Sequence, residues 1–197
     1  SIATLLNNLS NVAQDAGERD RARALQEESL ALRRQLGDKA GIAQSLTNLS
    51  LFAQERREFD RARVLLEESL ALDRELGNRA GIALSLRNYG ELVHRQGDAA
   101  RALNLYQQSL ALFRELDDKL GITACFEALA MLASDPERAA KLFGSAEAWR
   151  ERIGATQPVS FDASEYESKQ AGLRATEAFN AGKTTAPDVS LRDALGK

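Results

Sequence analysis

The chain has 197 residues, 44% of them hydrophobic and 28% charged, with a net charge of −3 and a single cysteine. The acidic balance lacks the basic footprint of a nucleic-acid binder. One cysteine excludes an internal disulfide, which fits a reducing compartment such as the cytoplasm. No apolar run is long enough to cross a bilayer, and the opening "SIATLLNNLS" lacks the basic segment of a signal peptide. Three prolines amid abundant Ala, Leu, Glu and Arg favour helix.

From the N-terminus the chain repeats itself every 40 residues. "EESLAL" at 27–32 returns at 67–72 and as "QQSLAL" at 107–112; Gly-Ile recurs at 41–42, 81–82 and 121–122. Counting back one repeat, Ser1 and Ile2 fall on Gly41 and Ile42. The first helix is therefore expected to start without a cap, as a piece of a longer array. Each repeat reads as two helices. In the second, Ala22, Leu25, Ser29, Leu32 and Leu36 form a stripe at helical spacing. Gly37 and Gly77 stand where a left-handed C-cap is needed. Asp38, Asn78 and Asp118 follow as N-caps. The next helix carries Ile42, Leu46, Leu49 and Phe52 on its buried side and ends near "ERREFD" (55–60). One such hairpin cannot bury its apolar face alone, so neighbours stack into a solenoid.

The pattern degenerates towards the C-terminus. "DPERAAKLFGSAEAWRERIG" (135–154) is a fourth second-helix, with Asp135 as N-cap and Pro136 at the first helical position. Trp149 on it reads as packing. "ATQPVS" is a linker. Residues 161–182 are expected to form one helix with Tyr166, Leu173 and Phe179 facing inward, and 190–195 a short helix capped by Ser190. The fold is thus predicted to be all-α: a superhelix of antiparallel helix pairs over 1–154, with a helical extension over 155–197 covering its end.

Residues 86–113 carry the most explicit pattern. Leu86, Tyr89, Gly90, Val93, Gly97, Asp98, Ala102, Tyr106 and Leu110 resemble the large–large–Gly–large–Gly–Asp–Ala–aromatic–Leu series of the tetratricopeptide repeat (TPR) family. Ser10 and Ser50 replace the glycine in the first two copies. The longer period is similar to the variant of kinesin light chains and bacterial signalling ATPases. "AAKLFGSAEAWRERIGA" and the polar helix after it resemble the C-terminal ends of STAND-type bacterial regulators, in which an effector domain and an ATPase precede the array.

Candidate chemistry is sparse. "AGKTT" (181–185) ends like a phosphate-binding loop, but Glu177 occupies the position of the first required glycine and a helix precedes it. The only histidine, His94, has no partners at metal-site or nucleophile spacing. Cys125 reads as a small core residue beside Phe126. The pairs Glu27–Glu28 and Glu67–Glu68 read as solvated faces. No cofactor, metal site or catalytic group is expected.

One polar series recurs with the repeat: Asn8, Asn48 and Asn88. The family resemblance implies that this helix lines a concave groove, where an asparagine holds a peptide backbone. A carboxamide both donates and accepts, so it can pair with any backbone. Thr4, Asn7, Asn11, Gln44, Thr47, Arg87 and Glu91 are expected on the same face. The other role for these asparagines is to brace neighbouring helices. The sequence therefore points to a non-catalytic protein- or peptide-binding module. The STAND resemblance implies the sensor region of a multidomain bacterial regulator, with other domains of the same polypeptide as partners. A small-molecule inducer sensor is the alternative.

Overall fold

The computed structural model describes residues 1–155 and 163–184. They form α1 (Ile2–Asp15), α2 (Arg19–Leu36), α3 (Lys39–Glu55), α4 (Phe59–Leu76), α5 (Arg79–Arg95), α6 (Ala99–Glu115), α7 (Lys119–Leu132), α8 (Pro136–Ile153), α9 (Ala163–Ala171) and α10 (Glu177–Thr184). No strand occurs among the described residues. The fold is an all-α helical solenoid built from adjacent helix pairs. It groups into two compact units, Ser1–Leu92 and Val93–Lys197.

In the first unit, the helix limits follow from their caps. Asp38 Oδ1 accepts from Gly41 N at 3.0 Å, and Asn78 Oδ1 from Gly81 N at 3.2 Å. Gly37 and Gly77 end α2 and α4 with φ of 66° and 65°, a region that costs a side chain but not glycine. The start of α1 departs from expectation: the Ser1 hydroxyl accepts from Thr4 N and caps it. Ala13, Ala22, Leu30, Leu46, Leu49 and Phe52 form one buried cluster, with Leu25, Ile42, Leu65 and Leu72 packed against it. Leu36, expected in the stripe, is instead 70% exposed. Ser29 already reaches the carbonyl of Ala3 at the start of α1, so Leu36 two turns on overhangs its partner helix.

In the second unit, Asp98, Asp118 and Asp135 cap α6, α7 and α8. Helix α7 is buried from Gly121 to Met131, with Cys125 in its core as read. The extension is two helices rather than one. The α-helix gives way after Ala171 to a turn in which Leu173 N and Arg174 N both donate to Gln170 O. The Thr176 hydroxyl then accepts from Phe179 N at 3.2 Å and starts α10. Helix α10 lies on α8 at backbone contact. A Cβ on Gly144 would stand 2.1 Å from Phe179 O, and one on Gly182 would stand 2.1 Å from Lys141 O. Tyr166 and Phe179 are buried and Leu173 is half-buried. The expected linker "ATQPVS" (155–160), from residue 156 on, and the short helix at 190–195 lie outside the described residues.

Candidate binding face

The asparagine series lies within the first unit, on α1, α3 and α5, and its members differ in exposure. Asn8 is exposed, together with Thr4, Asn11 and Gln44; Asn48 is half-buried; Asn88 is 1% exposed. Asn48 Nδ2 donates to Asn7 Oδ1 at 3.1 Å, and Gln26 Nε2 donates to the same oxygen at 3.2 Å. One carboxamide oxygen thus ties α1, α2 and α3 together.

Asn7 and Thr47 were expected on the open face and are not there. They are 5% and 3% exposed. Each precedes its ladder asparagine by one residue, a rotation of about 100° that turns it towards the second helix of its own hairpin. The Thr47 hydroxyl lies 2.8 Å from Ser69 Oγ and 3.3 Å from Ser85 Oγ, while Ser69 donates to Ala43 O at 2.9 Å. Arg87 and Glu91 are also buried, at 8% and 6% exposure. Arg87 Nη2 donates to Asn88 Oδ1 at 3.0 Å. Asn88 Nδ2 and Arg87 Nε are buried without a hydrogen-bond partner, an arrangement that costs stability.

A second recurring relationship was not read from the sequence. Arg33, Asp73 and Phe113 share one register and lie over Gly41, Gly81 and Gly121. A Cβ on these glycines would meet Arg33 Cδ at 2.7 Å, Asp73 Cγ at 2.4 Å and the Phe113 ring at 2.3 Å. The glycine of each Gly-Ile dipeptide was the available signal. Arg33 Nη1 donates to Gly41 O at 2.7 Å and Ser45 Oγ at 2.9 Å, and Nη2 donates to Gln44 Oε1 at 3.1 Å. Burial lowers the Arg33 pKa and raises that of the Asp73 carboxyl.

The other singled-out residues have structural surroundings. Lys183 of "AGKTT" donates to Glu147 at 2.9 Å and Glu151 at 2.7 Å from the last turn of α10. Glu27 pairs with Arg61 and Glu68 with Arg34 across α2 and α4, while Glu67 accepts from the Tyr89 hydroxyl at 3.0 Å. His94 is half-buried and Trp149 likewise. Among the described residues no three His, Cys, Asp or Glu side chains group as metal ligands. No described helix is long and apolar enough to cross a membrane.

The tetratricopeptide repeat pattern matches residues 1–75 and again 41–115, more than half of the chain. The chain belongs to the tetratricopeptide repeat family. Members of this family are generally non-catalytic scaffolds for protein–protein interaction. No curated protein matches the chain. The crystal structure of BtubC (BKLC) from P. vanneervenii is similar, with a TM-score of 0.56 at 19% identity, covering 94% of this TPR chain. At that identity the likeness concerns the fold alone. The chain spans 66% of the BtubC chain.

Proposed function

We propose that this TPR chain is a protein- or peptide-binding module that takes an extended peptide along the polar face of α1 and α3. The observation that supports this is the contrast between neighbouring carboxamides. Asn7 is buried and holds Asn48 by hydrogen bond, so Asn48 is fixed in place while still half-open. Asn8, Thr4, Asn11 and Gln44 are exposed beside it. A pre-positioned carboxamide loses little freedom on meeting a peptide backbone, so more of its hydrogen bond appears as affinity. In this reading Asn88, Asn7 and Thr47 are the scaffold, and Asn8 and Asn48 the contacts. The module is the sensor region of a multidomain cytoplasmic regulator of bacterial signalling, a context that rests on the STAND resemblance. Partner binding there alters packing against the other domains of the polypeptide.

The test is a peptide selected on the intact chain from a random display library. Asn8→Ala with Asn48→Ala should weaken it about tenfold or more, at roughly 0.5–1.5 kcal/mol per lost hydrogen bond, with the melting temperature nearly unchanged. A lowered melting temperature with unchanged affinity would assign the series to bracing alone.

A further inference from the structure

Between the start of α2 and the end of α3 lies a cleft of about 220 Å³, lined by Arg19, Asp20, Arg23, Phe52, Glu55 and Arg56. It belongs to the repeat and not to the beginning of the chain. In the second unit a cleft opens at the same register, among Ala99, Ala100, Leu103, Leu132 and Asp135. There the walls are mostly small and apolar; here they are charged. Arg56 pairs with Asp20 at 3.5 Å and Arg19 with Glu55 at 3.9 Å, so each acid of the cleft has a base. Arg23 is the base left over.

The next repeat shows what an arginine at this place does when acids are at hand. Arg63, in register with Arg23, pairs with Asp60 and Glu67 on its own helix, each at 3.6 Å. The equivalent acids beside Arg23 are Asp20 and Glu27, and these pair with Arg56 and Arg61 instead. No acid among the described residues pairs with Arg23. Its Nε is buried without a hydrogen-bond partner, while its two terminal nitrogens remain open in the cleft. Packing thus holds the stem and presents the outer edge of the guanidinium, where two parallel N–H groups match the two oxygens of a carboxylate.

We propose that this cleft binds the side-chain carboxylate of an acidic residue of a partner protein, with Arg23 as its principal contact. Charge and size select that occupant. Three arginines against two acids leave one positive charge in excess, which a single carboxylate neutralises. A phosphate monoester carries about −1.5 to −2 and would bring surplus negative charge against Asp20 and Glu55. Sites for whole small molecules enclose about 300–1,000 Å³. This cleft is smaller and has room for one side chain, with Phe52 as the apolar wall for its methylene stem. None of these residues belongs to the asparagine series, so this proposal and the peptide face of α1 and α3 stand or fall separately.

The test selects a display library of random nonapeptides on the intact chain and counter-selects it on Arg23→Leu, which copies the residue standing in register at Leu103. Arg23→Gln replaces that variant where it fails to fold. The surviving peptides should share an acidic residue at one position. Its replacement by glutamine should weaken binding to the intact chain at least about tenfold and change nothing on the Arg23 variant. In NMR the acidic form should move the Arg23 guanidinium signal saturably, and the Asn8→Ala, Asn48→Ala chain should respond in the same way. Four outcomes overturn the proposal. One is that no peptide depends on Arg23. Another is that the Arg23-dependent peptides tolerate glutamine at every acidic position, so that no carboxylate is recognised. A third is displacement of the peptide by inorganic phosphate at lower concentration than by acetate, which would make this a phosphate site. The last is acetate moving the Arg23 signal at the same concentration as the peptide, which would make it a site for a free ion.

Discussion

Arg150 Nη1 stands 3.1 Å from Glu127 Oε1, with Glu127 wholly shielded from solvent and the arginine side chain 9% exposed. The Arg150 guanidinium carbon lies 5.6 Å from the centre of the Tyr166 ring, whose hydroxyl is 3.4 Å from the same carboxylate oxygen. Burial, reinforced by the Glu127 charge, pushes the Tyr166 pKa up. The tyrosine therefore stays neutral beside the ion pair. Helix α9 in this way closes a charged cluster that α7 and α8 begin.

Removing Arg150 takes away the charge that faces the buried Glu127 carboxylate. Arg150→Ala should cost about 3–5 kcal/mol in urea unfolding. Replacing both Glu127 and Arg150 by Met removes the stranded charge and should recover most of the loss. A cost for Arg150→Ala below about half a kcal/mol would mean that the pair is solvated.

The α8–α10 contact should depend on pH at both ends of the scale. Burial pushes the Glu147 pKa up, but hydrogen bonding and charge from Lys183, then Arg174, outweigh it and leave it below 4.5. Its folded pKa lies below its unfolded one. Its contribution is thus present above the ordinary carboxyl range and is lost as pH falls through the folded value. Lys183 is raised above 10.5, first by its hydrogen bond to Glu151 and then by that to Glu147. Its contribution is present below the ordinary lysine range and is lost as pH rises through the folded value. Docking of α10 should be tightest between the two limits. Glu147→Gln should remove the acid limb of α10 protection in hydrogen exchange and leave most of the alkaline limb.

Two turn positions repeat with the hairpins and are filled unevenly. Gly17, Arg57 and Gly97 share one, with φ of 77°, 61° and 88°; Gly37, Gly77 and Asp117 share the other, with φ of 66°, 65° and 51°. A left-handed conformation costs a residue with a Cβ roughly 1–2 kcal/mol. Arg57→Gly should therefore stabilise the chain by up to about 1 kcal/mol, and Gly37→Ala should destabilise it by about as much. Thermal melts of the two variants should move in opposite directions. The exposed ion pairs of Arg57's neighbours, such as Arg61 with Glu58, do not involve the replaced side chain.

These turns show where the sequence was legible and where it was not. Gly37 and Gly77 announced their conformation because only glycine adopts it freely, whereas Arg57 and Asp117 carry no such mark and take it because the hairpin on either side demands it. The caps Asp38, Asn78, Asp118 and Asp135 were legible because capping is local. Leu36 was misplaced because burial depends on where the neighbouring helix starts. Asn7 and Thr47 were misplaced by a single residue of rotation, which no repeat count resolves. The break after Ala171 had a signal in Gly172, a poor helix former, and the Thr176 hydroxyl starts the next helix.

The close backbone approach of α8 and α10 tests how the extension is held. Gly144 and Gly182 face each other's helices across α8 and α10, each with a backbone carbonyl 2.1 Å from where a Cβ would stand. Backbone atoms cannot swing aside as a flexible side chain can, so any larger residue forces the helices apart. Separation would also break the 3.2 Å bond from the Ser145 hydroxyl to Gly182 O. It would draw Lys183 away from Glu147 and Glu151 as well. Gly182→Val should therefore abolish amide protection in α10 while α7, buried on every side, keeps its own. Gly182→Ala should give a smaller loss in the same place, since one methyl group asks for a smaller displacement. Uniform loss of protection along α7, α8 and α10 in the valine variant would mean that the extension unfolds together with the rest of the unit and is not a separately docked element.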